Sequence, residues 1–226
     1  MRWPGSPAWR KAYIRRRAKR ARDGRDRSPK TAITTLGAGP WPRHIGGMIR
    51  YAIFDTAIGW ASIAWNDKGL VGVRLPGSDP EATRRGVLKR FPDAAERDPA
   101  AEGWTPVVDG VRALMRGEKA DFADVALDLG RTSEFNAKVY EIARAIPPGE
   151  TLTYGEVADR LGDKLLARDV GVALGQNPWP IVVPCHRVTA AGGKLGGFSA
   201  PGGARTKLKL LAIEGAAAGA QGELFG

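Results

Sequence analysis

The chain of 226 residues contains a single cysteine and only two histidines. One thiol cannot close a disulfide within the chain, so nothing requires an oxidising compartment and a cytosolic protein is the expectation. No run approaches the roughly 18 to 20 consecutive apolar residues that span a bilayer, and the amino-terminal region lacks a secretory apolar stretch, so the chain reads as soluble. With hydrophobic residues at 43%, charged residues at 26% and one cysteine, fibrous and disulfide-scaffold classes are excluded. The length suits one large domain or two small ones, with enough chain to bury a core.

The formal net charge of +11 is unevenly placed. Residues 1–47 hold 13 Lys and Arg against 2 Asp and Glu, whereas the remaining 179 residues hold 22 of each sign. The basic balance therefore says little about the folded part, and a nucleic-acid claim must rest on local placement of charge. With its run Arg15-Arg16-Arg17-Ala18-Lys19-Arg20 and few aliphatic residues, 1–47 reads as a disordered basic leader. Two readings of it stand: a phosphate-binding or targeting arm, or an appended leader ahead of a fold that begins at Met48.

From Met48 the pattern predicts strands over Arg50–Asp55, Ile58–Trp65 and Leu70–Leu75, with Asn66-Asp67-Lys68-Gly69 as the turn between the last two. Helices are expected over Pro80–Arg90 and Trp104–Arg116, the second carrying Val107, Val108, Val111 and Leu114 at helical spacing, then a strand around Phe122–Leu129. The fold class is α+β: a small β-meander and helix domain over 48–130, a mainly helical domain over 131–215 and a flexible tail over 216–226. In the second domain Ser133 caps a helix with Phe135, Val139, Ile142 and Ile146 on one face, stopped by Pro147-Pro148-Gly149. Thr153 and Glu156 form a capping box before a short helix with Val157, Ala158 and Leu161 inward, ended by Gly162. A second short helix carries Val170, Ala173 and Leu174 inward and ends at Gly175. The pair reads as a helix-turn-helix or as a plain helical hairpin in a core.

The lone cysteine sits in Pro184-Cys185-His186-Arg187-Val188, behind the expected β run Ile181-Val182-Val183. Lone cysteines are more often inert, but an adjacent imidazole and guanidinium can favour thiolate, and the glycines of Gly192-Gly193-Lys194-Leu195-Gly196-Gly197 let backbone approach a ligand closely. Neighbours in an extended chain point to opposite sides, so Cys185 and His186 would communicate through a bridging water. Glu214, at the end of a helix from about Gly203, is the late carboxylate that would orient the imidazole; the alternative is a plain surface glutamate.

Asn177-Pro178, the stretch Pro180 to Val188 reading P-I-V-V-P-C-H-R-V, Gly196-Gly197-Phe198-Ser199 and Glu214-Gly215 together resemble the methylated-DNA–protein-cysteine methyltransferases, the O6-alkylguanine-DNA alkyltransferases. The resemblance covers about 131–215 strongly and 48–130 only through the expected preceding domain. It implies a ribonuclease H-like first domain and a winged-helix-like second one. The implied activity is DNA repair by stoichiometric transfer of the alkyl group of O6-methylguanine, and of O4-methylthymine, to Cys185. His186 would deprotonate the thiol through a water, Glu214 would orient the imidazole, and Tyr154 would supply a proton to the leaving base. Arg168 matches the arginine finger that fills the gap left by the flipped nucleotide, and Asn177 matches the tie between recognition helix and active-site loop. Pro180, Val188, Phe198 and Ser199 would line the pocket. No cofactor is implied, the partner is double-stranded DNA entered from the minor groove, no membrane is involved, and a monomer is expected.

Three departures from the family pattern stand out: Asp169 where a small apolar residue is usual, Phe198 where many members have Tyr, and a longer link at Ser199-Ala200-Pro201-Gly202-Gly203. Some members bind zinc in the first domain, but Cys185, His186 and His44 are the only Cys and His side chains available, so no metal site is expected. Other functional classes remain at this point: a damage-binding protein of the same fold without transfer, which the thiol argues against, and a turnover hydrolase with a Cys-His-Glu triad, which leaves the helix pair unexplained. A methyl-sensing regulator would need a further domain.

Overall fold

Apolar residues along the strands and the tight turns at Ala57-Ile58 and Asp67-Lys68 build a meander of β1 (Arg50–Thr56), β2 (Gly59–Asn66) and β3 (Gly69–Gly77). The computed structural model describes residues 47–216, all within one compact unit of the chain; leader residues 1–46 and tail residues 217–226 lie outside it. β1 and β2 pair antiparallel, as do β2 and β3, and a two-residue strand β4 (Ala95–Glu96), absent from the sequence reading, joins β1 in parallel. The sheet order is β3-β2-β1-β4.

Helix α1 (Pro80–Arg90) starts at Asp79, whose carboxylate accepts from Ala82 N, and buries Val87 beside Phe91 against Tyr51, Ala64 and Val71. Helix α2 (Thr105–Met115) buries Val107, Val108, Val111 and Leu114, the periodic residues of its sequence, and holds Arg112 over the Phe54 ring of β1. The strand expected around Phe122–Leu129 does not form. Asp121 accepts from Ala123 N and Val125 N donates to Phe122 O, which turns the chain, so only a bridge between Leu70 and Leu127 remains.

Helix α3 (Glu134–Arg144) begins at the Ser133 cap, as expected, but its inward face differs from the one read from the sequence. Val139 and Ile146 are buried as expected, but Phe135 and Ile142 are only half-buried and Tyr140 and Ala143 are buried instead, because Tyr140 turns inward to donate to Ala173 O at 2.9 Å and to meet the Trp179 ring edge-on at 5.8 Å. Strand β5 (Leu152–Thr153) leads into α4 (Tyr154–Arg160) through the predicted capping box. A 3-10 turn, Lys164–Leu166, then connects to α5 (Ala167–Gly175), which buries Val170, Ala173 and Leu174. Strand β6 (Val188–Thr189) pairs in parallel with β5, and α6 (Gly203–Ile213) closes the described chain. Among the described residues no helix is long and apolar enough to cross a membrane.

Candidate active site

The loop that delivers the cysteine is held from both ends. Asn177 accepts from Trp179 N at 2.9 Å and donates to Val183 O at 2.8 Å, stapling the loop across its own base. The buried Trp179 indole donates to Leu70 O at 2.7 Å, and Val73 N donates to Pro178 O at 2.9 Å, so the loop is seated on the β3 edge of the sheet. Inside it Ile181 has φ +79°, a costly conformation for a β-branched residue, and Val183 N donates to Trp179 O. A chain turned this way cannot continue as the β run expected over Ile181–Val183. Cys185–Arg187 is likewise a 3-10 turn rather than extended chain. With about three residues per turn, successive side chains diverge by about 120°, so the separation expected between Cys185 and His186 arises from a different geometry.

His186 is fully buried, and its Nε2 lies 2.8 Å from Glu214 Oε1. The residue that the sequence reading left out of this pair is Arg187. Its Nε and one terminal nitrogen donate to the two Glu214 oxygens, each at 2.9 Å, and its other terminal nitrogen donates to Ile146 O. Burial alone would raise the Glu214 carboxyl, but hydrogen bonds and charge from His186 and Arg187 prevail and hold it at about 2. An ionised carboxylate can only accept, so the His186 hydrogen sits on Nε2 and Nδ1 is a bare acceptor. That Nδ1 is buried and has no hydrogen-bond partner among the described residues. Burial also keeps His186 below its ordinary pKa against the pull of Glu214, so the ring is neutral at pH 7. The signal for Arg187 was present in its adjacency to His186, but only the fold shows that its fork reaches Glu214.

Cys185 is 9% exposed. Burial pushes its thiol up, while the Asn177 side chain and the charge of Lys207 act in the other direction. Tyr154, the first residue of α4, donates to Gly197 O at 3.2 Å, and burial followed by the nearby Cys185 raises its phenol. A side-chain carbon at Gly171 of α5 would lie 3.8 Å from its ring, so the glycine leaves room for Tyr154 beside the second short helix. Val188 is fully buried and Pro180 and Phe198 are half-buried. Ser199, expected to face the pocket, instead donates to Gly175 O at 2.9 Å. Arg168 is exposed on α5, and Asp169 beside it occupies the first turn of that helix, where the backbone dipole favours a carboxylate. The longer 199–203 link is taken up by a turn in which Gly203 N donates to Ala200 O. Among the described residues no group of three or more His, Cys, Asp and Glu side chains is placed to hold a metal ion.

Comparison with known proteins shows the family. The model of the family described as "6-O-methylguanine DNA methyltransferase, DNA binding domain" matches residues 134–216. A methylated-DNA–protein-cysteine methyltransferase of Mycolicibacterium paratuberculosis is 40% identical over 167 residues, covering 74% of this chain and 93% of that one. The chain belongs to the methylated-DNA–protein-cysteine methyltransferase family. The α+β architecture agrees with that of a solved family member, the O6-methylguanine methyltransferase of Mycobacterium tuberculosis, at TM-score 0.59 and 37% identity over 76% of this chain and 95% of that one. The same mycobacterial protein solved in complex with DNA gives TM-score 0.59 and 36% identity over 74% and 94% of the two chains. A DNA base-flipping protein of Thermus thermophilus is 41% identical over 138 residues, 60% of this chain and 91% of that one.

Proposed function

We propose that this protein repairs DNA by moving the alkyl group of an alkylated base, O6-methylguanine and also O4-methylthymine, onto Cys185, once per molecule. The reaction is a displacement at carbon. The Cys185 sulfur bonds to the methyl carbon, the carbon–O6 bond breaks, and its electron pair stays on the base, which is neutralised by the Tyr154 phenol proton. The thiol proton passes through a water to His186 Nδ1, the atom that the Glu214 hydrogen bond leaves bare. Thioether formation is not reversed by any group of the site, so the acceptor is consumed. The damaged nucleotide must leave the stack to reach a thiol this deeply enclosed, which is the role of α4 and α5 as a helix-turn-helix in the minor groove. Arg168 would fill the vacated space and Asn177 would keep α5 in register with the cysteine loop, while Pro180, Val188 and Phe198 would line the pocket. A reduced thiol suits the cytosol, and one chain contains the whole site, in keeping with a monomer.

The observation that carries this reading is the buried Cys185-His186-Glu214-Arg187 cluster with one unpartnered ring nitrogen. Its test is intact-protein mass spectrometry after mixing with a duplex carrying one O6-methylguanine. A gain of about 14 Da is expected on the unmodified protein and none on Cys185→Ala. Because the chain has a single cysteine, the mass gain is assigned without peptide mapping. Binding of the duplex with no mass gain would instead favour the second reading, damage binding without transfer, to which the resemblance to a base-flipping protein points.

A further inference from the structure

Lys207 lies on α6 at 0% exposure, and no carboxylate pairs with it among the described residues. Its ammonium donates to Val188 O and to Leu195 O, each at 2.6 Å, and sits 5.6 Å from the centre of the Tyr154 ring. A buried cation without a counter-charge is costly and survives only where its protons are placed and an anion can complete it. The two carbonyls and the ring face satisfy the ammonium. The anion is supplied by chemistry: among the side chains that interact with Lys207, Cys185 can become negative at the moment of reaction, His186 is neutral, and Tyr154 presents its ring.

We propose that Lys207 is a positioning residue for the alkyl acceptor, its ammonium fastening the Val188–Leu195 loop to α6 and holding a fixed positive charge against the Cys185 sulfur as it ionises. This rests on the alkyl-transfer reading above. The loop it fastens is the one that meets Tyr154: the Tyr154 hydroxyl donates to Gly197 O, and a side-chain carbon at Gly196 would lie 2.8 Å from the Tyr154 ring. One ammonium therefore ties together the acceptor turn, the proton donor and the glycine-rich loop. Its field favours thiolate on Cys185 and opposes imidazolium on His186, and Glu214 offsets the second effect. The two charges divide the work, Lys207 toward sulfur and Glu214 toward the ring.

The experiment reads the single thiol directly and needs no DNA, so its outcome is independent of whether alkyl transfer occurs. Iodoacetamide alkylation of Cys185 is followed by mass from pH 6 to 11 in the full-length protein, in Lys207→Met and in Lys207→Arg. For a folded Lys207→Met, the rate at pH 7 relative to the high-pH plateau is expected to fall about tenfold. Lys207→Arg keeps its charge above the pH of about 8 at which burial lets the ammonium lose its proton, so its alkylation midpoint is expected at lower pH than in the unmodified protein. A purely structural lysine would alter melting temperature or the plateau rate without moving either pH readout. An unchanged pH profile in folded Lys207→Met overturns the proposal. Should that variant not fold, an unchanged midpoint in Lys207→Arg overturns it.

Discussion

At the scale of single residues, Glu214 breaks a local preference and the structure shows why. It caps the carboxyl end of α6, where the helix dipole disfavours an anion, yet two arginine nitrogens and an imidazole surround it. Because Arg187 already balances its charge, Glu214 can hold His186 in place without drawing a proton onto it. Replacing it by Gln keeps the shape and removes the charge. Glu214→Gln is expected to slow methyl transfer by about 100-fold or more in single-turnover assays and to cost about 3 kcal/mol in urea unfolding through the uncompensated Arg187. The pH dependence follows from the sign of the shift. A carboxyl held at about 2 contributes stability that is fully present above its ordinary value of 4.5 and is lost as pH falls through 2. His186, held below 6.5, adds to the loss in acid because the unfolded chain binds its proton first. Urea midpoints between pH 6 and 3 should therefore fall less steeply in Glu214→Gln than in the unmodified protein.

At the scale of elements, the informative unit is β5-α4-turn-α5. Much of it was legible in the sequence: the Thr153 and Glu156 box, the stop at Gly162 and the inward Val170, Ala173 and Leu174 need only local chemistry, and all form as read. The elements misread were those whose backbone is decided by contacts elsewhere. Ile181-Val182-Val183 has strong strand propensity, yet the Asn177 staple and the docked Trp179 bend it. Arg168 belongs to this scale because its position on the exposed face of α5, not a contact within the protein, defines its proposed role. Arg168→Ala should slow repair of duplex at least about tenfold while leaving reaction with free O6-methylguanine base unchanged, since only the duplex requires the vacated space to be filled. Equal losses on both substrates would remove the finger assignment. The exposed Val172 on the same helix, 56% exposed, lies one turn beyond Arg168 and would face the same groove.

At the scale of the whole molecule, the sheet is a platform for the cysteine loop. β3 is an edge strand, and its free backbone groups are taken up by Ala126, Asp128 and Pro178 rather than by another strand. Trp179 connects this edge to the Tyr140 face of α3, so the half of the chain that carries no reacting group sets the height of the loop that does. Trp179→Phe removes the indole hydrogen bond and part of the buried ring, and is expected to destabilise the protein by about 2 kcal/mol in urea unfolding. If the sheet acts as the platform, the same change should slow methyl transfer well below the denaturation midpoint, where the protein remains folded.

Local chemistry in the sequence determined the meander, the two short helices with the capping box of the first, the absence of a disulfide within the chain and the residues able to carry the reaction, because periodicity, capping and side-chain type act over a few positions. The tertiary structure decided what lies far apart in the chain. Parallel pairing of Leu152 with Val188 brings Tyr154 to the cysteine turn, the Arg187 fork reaches Glu214 across 27 positions, and Lys207 closes over Val188 and Leu195. Each of these contacts is made by burying polar groups that only a completed core can shield and pair, and no spacing in the sequence encodes which partner a buried charge will find.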